Sequence, residues 1–256
     1  MANTNDLFLG LGHLIPIGSS DLKSDDKVPT YARGQLSFIR DAFGARVFRY
    51  MRNRTASATA VGELMARTAN TTITNITSGT TTSITKTAAG WTVDAFKEDI
   101  LFFDDVDASA GAAPEGELGV IVSNTATVIQ IDGKRPFSAA AAVNDDFIVY
   151  SLFQWKDAAD GDLGRDVFGI CMAIVSTLYY GWLQCYGYCP DAVHTTAAVT
   201  AGDPVVAGAA AIAAFGTDGQ ELWIGWSPLG IKADQVVLTA LVFIDVFSPE
   251  GPGTAP

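Results

Sequence analysis

The sequence predicts a mainly β protein: antiparallel β-barrel or sandwich blocks with one short helix and extended terminal arms. Three observations carry this. Charged residues make up 17% of the 256 against roughly 25% in an ordinary soluble domain, while 48% are apolar, so the exposed faces are built from Thr, Ser and Ala rather than Lys and Glu. Short β-branched and aromatic runs recur at close spacing, separated by turn dipeptides. A single stretch carries a helical period.

In chain order, residues 1–30 contain Gly10, Gly12, Pro16, Gly18 and Pro29, which break any period, and a charged patch at Asp21–Lys27. They read as an extended N-terminal arm. Leu36, Ile39 and Phe43 fall at i, i+3 and i+7 before Gly44, which predicts the short helix over 31–43. The aromatic and β-branched content of Arg46–Arg52 predicts a strand. Thr71–Thr87 is Thr-rich with Ser78-Gly79 at its middle, the composition of a solvent-facing hairpin. Strands follow at Ile100–Phe103, Val120–Ser123, Thr127–Ile131, Phe147–Trp155, Leu222–Trp226 and Val236–Val246, with turn signals at Asn124-Thr125, Asp132-Gly133, Asp160-Gly161 and Asp218-Gly219. The most polar run, Lys156–Asp166, places a boundary between a β-rich domain over 31–155 and a second β block over 167–247. Residues 248–256 hold three Pro and two Gly and read as a flexible tail.

The longest apolar run, Val167–Cys189, has the length of a membrane span, about 20 residues. Gly169, Gly181 and Gly187 and the centrally placed Tyr and Trp fit two buried strands instead, so no membrane partner is expected. The apolar stretch Leu7–Ile17 lacks a preceding basic residue, so an arm is expected there rather than a secretory leader. Three cysteines, an odd number, point to synthesis in a reducing cytoplasm. Cys185 and Cys189 stand about 13 Å apart on an extended strand, too far for a disulfide. With 28 acids against 16 bases the net charge is −12, which opposes wholesale attraction to nucleic acid.

Motifs for catalysis, phosphate binding and metal binding are missing. There is no G-x-S-x-G, H-E-x-x-H, Walker loop or paired C-x-x-C, and the two histidines, His13 and His194, complete no ligand set. No enzyme activity, cofactor or metal is therefore expected. Asp105-Val106-Asp107-Ala108-Ser109 resembles the opening of a calcium loop, but Ala110 stands where the sharp turn needs Gly and Gly116 where a bidentate Glu belongs, so a solvated acidic loop is expected.

Charge is segregated. Residues 33–67 carry seven Arg against Asp41 and Glu63, a segment of +5 within a remainder of −17. Arg46, Arg49, Arg52 and Arg54 interleave with Phe48 and Tyr50. They form either a docking patch for an acidic surface or internal partners for the chain's own carboxylates, since both uses draw on the same guanidinium chemistry.

The run Gly119–Asp132 (GVIVSNTATVIQID), followed by an Ala-rich loop and Phe147–Tyr150, resembles a pattern in head-associated structural proteins of tailed bacteriophages. Tyr179–Tyr188 (YYGWLQCYGY) followed by Val199–Val206 (VTAGDPVV) is similar to phage capsid decoration, or cement, proteins. The likeness covers about 46–247 and rests on patterns of small and aromatic residues; known decoration proteins are frequently shorter. It implies a β-rich fold and no catalysis. It also implies a place on the virion at the outside of an icosahedral capsid, with the major capsid protein as partner and copies associated with one another, often as trimers. Under that resemblance Arg46, Arg49, Arg52 and Arg54 are the expected capsid-docking residues. The alternative is a phage tail, fibre or host-surface carbohydrate-binding β protein, for which Trp223 and Trp226 would serve.

Overall fold

The computed structural model describes residues 15–42, 44–105, 114–151, 153–157, 167–193, 201, 204–208, 211–214, 225–226 and 239–245. The described residues are mainly strand, arranged in two sheets rich in antiparallel pairings. Two compact units divide the chain, one of Met1–Arg67 with Phe153–Pro256 and the other of Thr68–Leu152.

The first unit holds β1 (Ile15–Pro16), a 3-10 turn at Asp21–Lys23, β2 (Leu36–Asp41), β3 (Gly44–Asn53) and β4 (Leu64–Arg67). The second unit contributes β5 (Thr71–Ile73), β6 (Ser78–Gly79), β7 (Ser83–Thr85), β8 (Ile100–Asp105), β9 (Leu118–Asn124), β10 (Val128–Ile131) and β11 (Asp146–Tyr150). The chain then returns to the first unit with β12 (Gln154–Asp157), β13 (Val167–Cys171), β14 (Tyr180–Val193), β15 (Pro204–Gly208), β16 (Ala211–Ala214), β17 (Gly225–Trp226) and β18 (Thr239–Asp245).

In the first unit the ladders close on themselves. Strand β3 pairs with β12, β12 with β4, β4 with β13, β13 with β14, and β14 again with β3. One buried cluster takes an apolar side chain from each of these five strands: Met51, Trp155, Met65, Cys171 and Leu183. That is what a ring of strands requires, because alternate residues of every strand turn toward the same interior. The other side of β3 and β14 carries a second cluster of Phe48, Tyr50, Tyr180 and Trp182 with Leu22.

Residues 15–30 do not extend away from this sheet. Ile15 and Pro16 pair in parallel with β2, Leu22 is buried in the second cluster, and Asp26 exchanges backbone hydrogen bonds with Tyr180. The Tyr50 hydroxyl donates to the Asp26 carboxylate and accepts from the Thr30 N–H. The expected arm therefore covers its own aromatic cluster over this stretch; residues 1–14, like the expected tail at 248–256, lie outside the described residues.

The helix expected over 31–43 is a correction: Leu36–Asp41 is β2, paired from Leu36↔Arg49 to Asp41↔Gly44. Three apolar residues at helical spacing in a short window are outweighed by a hairpin partner that carries Val47, Phe48 and Tyr50 and is itself held by β14 on its other edge. Gly44, read as a helix stop, opens β3 beyond the hairpin turn. The Ser78-Gly79 turn is also displaced. Those residues form β6, and the chain reverses at Thr80–Ser83, where the Thr80 N–H donates to the Ser83 carbonyl. An added Cβ on Gly79 would lie 2.4 Å from that of Ala141, so this glycine serves close packing.

The division between blocks differs as well. The expected boundary was Lys156–Asp166, whereas the compact units change at 67/68 and 152/153. By Lys156 the chain already pairs with β4, and residues 158–166 lie outside the described residues. Within Thr68–Leu152 the strand order is β5-β11-β8-β9-β10-β7-β6. The first and last strands of this insert are neighbours, Thr71 facing Val149, so both chain connections leave from one place.

Candidate functional site

An antiparallel sheet with one solvated face alternates apolar inside and polar outside. Three adjacent strands of the insert do not. In β8, β9 and β11 the inward residues Leu101, Phe103, Ile121, Phe147 and Val149 build the insert's own core with Ile73, Phe96, Ile129 and Phe137. The outward residues are apolar too. The ladders align them in two rows, Ile148–Phe102–Leu118 and Tyr150–Ile100–Val120, and Val122 extends the second edge. Leu118 is 61% exposed, Val120 47% and Val122 44%, while Ile100, Phe102, Ile148 and Tyr150 are partly exposed.

Cross-strand packing holds the rows in place. The Phe102 and Tyr150 rings lie 5.9 Å apart on a diagonal of the ladder, a tilted contact within the range of favourable aromatic pairs. Strand spacing near 4.8 Å and a rise near 3.4 Å give the grid a footprint on the order of 300 Å². Thr72 of β5 flanks it beside Ile148, and exposed Gln130 of β10 lies beyond β9. At one end stand Asp104, exposed at the end of β8, and Asp146, at the start of β11. Such a surface offers burial of hydrocarbon and one charged end, which suits recognition of another surface rather than bond chemistry.

The four arginines are placed differently from the expected docking patch. They lie on or just after β3, which pairs with β2 and then β12 along one edge and with β14 along the other. Arg46 and Arg52 are buried. The Arg46 guanidinium pairs with the Asp41 carboxylate, donates to Gln184 Oε1 at 3.2 Å and lies over the Phe48 ring at 5.4 Å. Arg52 Nε donates to the Leu178 carbonyl at 3.0 Å, and its guanidinium stands 5.7 Å from the Tyr180 ring. Arg54 donates to Gln154 Oε1 at 3.3 Å. The pleat sends Arg49 to the opposite face from Arg46 and Arg52, where it lies 5.7 Å from the Phe168 ring. Arg46 pairs with one of the chain's own carboxylates, Arg52 is held by a backbone carbonyl and a ring, and the four do not share one surface.

Of the acidic loop, Asp105 pairs with Asp146 across the β8–β11 ladder, and residues 106–109 lie outside the described residues. So do His13, His194 and Trp223; Trp226 belongs to β17. Among the described residues no three His, Cys, Asp or Glu side chains gather to hold a metal ion, and no helix is long and apolar enough to cross a membrane. The residues missed as a site are those of the outward grid. Their signal was present: Ile100–Phe103, Gly119–Val122 and Phe147–Tyr150 are continuous apolar runs, the pattern of strands covered on both faces.

Compared with known protein families, curated proteins and solved structures, the chain matches none.

Proposed function

We propose that this chain is a non-enzymatic structural protein of a tailed-phage head, a decoration or cement protein that binds the outside of the assembled capsid and stabilises it. Its docking surface is the outward face of β8, β9 and β11. The observation that supports this reading is the apolar character of these three strands on both sides, with one side in the insert's core and the other at the surface. Two of the stretches on which the sequence resemblance rests, Gly119–Asp132 and Phe147–Tyr150, supply β9, β10 and β11 of this sheet, while Tyr179–Tyr188 falls largely on β14 of the first unit.

Area argues for a repetitive partner. A footprint near 300 Å² falls well short of the roughly 800 Å² per partner of a stable protein interface. One such contact is weak. A capsid presents many equivalent positions, and copies that associate with one another bind it with combined strength. A protein that binds only the intact lattice stabilises it by mass action, about 2.7 kcal/mol per site at a hundredfold excess over Kd.

The test is thermal disruption of undecorated heads of the phage that encodes the chain, with and without added protein. The reading expects heads carrying the protein to break at a higher temperature. Equal disruption temperatures, or sedimentation of the protein with tails rather than heads, would overturn it in favour of a tail or receptor-binding role.

A further inference from the structure

The outward grid has chemical direction, because its acids stand at one end. Strand β8 ends in Asp104 and Asp105, and β11 begins with Asp146. The ladder pairs Asp105 with Asp146 and then Phe103 with Phe147, so Asp104 is the extra residue of a bulge at that end. Asp104 is exposed, directly beyond the row Ile148–Phe102–Leu118. Asp146 Oδ1 accepts from the Asn75 N–H at 2.7 Å, which fixes that carboxylate in place. Neither acid has an ion-pair partner among the described residues.

We propose that the surface docking on this face is a protein surface with an apolar ridge and, at one end, an Arg or Lys that meets Asp104 and Asp146. The proposal rests on the docking reading above and names the chemistry of its partner. Apolar side chains of the partner cover Leu118, Phe102 and Ile148, while its cation settles against the two carboxylates, fixing which way round it sits. Charge complementarity selects this occupant over a second copy of the chain. A copy brings its own net charge of −12 and the same acidic end, and the grid alone is too small to hold a dimer against that repulsion.

The experiment uses the full chain and undecorated heads, with binding measured across a range of salt concentrations. Three proteins are compared: the unaltered chain, Asp104→Asn with Asp146→Asn, and Leu118→Asp with Val120→Asp. Each variant is first checked for an unchanged near-ultraviolet circular dichroism spectrum and melting temperature. The exposed positions of Asp104, Leu118 and Val120 favour an intact fold. The expected result is that the asparagine variant binds about three- to tenfold more weakly at low salt, loses much of the salt dependence, and converges with the unaltered chain at high salt. The Leu118/Val120 variant is expected to lose binding at every salt concentration. If the Leu118/Val120 variant loses binding but the asparagine variant keeps both affinity and salt profile, the face docks a partner without the cation, and this inference is overturned alone. If both variants bind as the unaltered chain does, the docking face itself is wrong. Self-association in analytical ultracentrifugation that the Leu118/Val120 change abolishes would assign the face to a second copy and overturn the inference.

Discussion

At the scale of single residues, the chain buries two of its arginines, Arg46 and Arg52, and all its thiols. Arg46 is held by Asp41, Gln184 and the Phe48 ring, so truncation leaves a carboxylate and an amide facing a void. Arg46→Ala is expected to destabilise the protein by about 2–3 kcal/mol, read as a lower urea midpoint with an unchanged slope. A midpoint within error of the unaltered chain would show that Arg46 is not an internal partner. Cys171, Cys185 and Cys189 are free and buried. Burial pushes the Cys171 thiol up to about 11 and the Cys189 thiol up to about 12, with hydrogen bonds to each sulfur opposing the shift only in part. Burial, with the Asp26 hydrogen bond second, likewise raises Tyr50 above its ordinary value. The sign follows from linkage. An unfolded thiol ionises near pH 8.5 while these folded thiols stay protonated, so above that pH the unfolded state binds fewer protons and stability falls. The melting temperature is expected to hold to about pH 8 and to decline from about pH 9 toward pH 12, less steeply in Cys189→Ala. A flat profile across that range would contradict the buried placement of these groups.

At the scale of elements, what the sequence revealed depended on how far each signal reaches along the chain. Strand identity was legible from β-branched and aromatic runs: β3, β8, β9, β10 and β11 lie where those runs predict. Two strands, β13 and β14, take up the long apolar run at 167–189. The helix over 31–43 failed because the period of Leu36, Ile39 and Phe43 is local, whereas the partner that makes Leu36–Asp41 a strand begins beyond it at Gly44. The arginines were legible as a cluster, but the burial of Arg46 and Arg52 was not, because it comes from strands more than 100 residues away in sequence. The outward grid required a register that no run reveals by itself. Close strand packing also sets sharp glycine requirements. Gly62 precedes β4 at φ +85°, and a Cβ there would lie 1.8 Å from the Asp191 carbonyl oxygen of β14. Gly62→Ala is expected to cost about 3 kcal/mol or more, while Gly133→Ala, with nothing within 4 Å, stays within about 0.5 kcal/mol of neutral. Equal stabilities in thermal melts would contradict the approach of β14 to this turn.

At the scale of the whole molecule, the chain is a ring-paired unit with an insert between β4 and β12. The insert enters and leaves on neighbouring strands and carries its own buried cluster, so its sheet keeps its register without drawing on the first unit's core. That arrangement gives a scaffold for presenting an apolar face, and the proposed role follows from what such a face can bind. The most direct measurement is electron cryomicroscopy of heads saturated with the full chain, at a resolution that separates strands. The account predicts density for the chain on the outer surface of the capsid, with the outward side of β8, β9 and β11 against the shell and Leu118 and Val120 covered. Density with that face turned to solvent, or heads without added density at saturating protein, would contradict it.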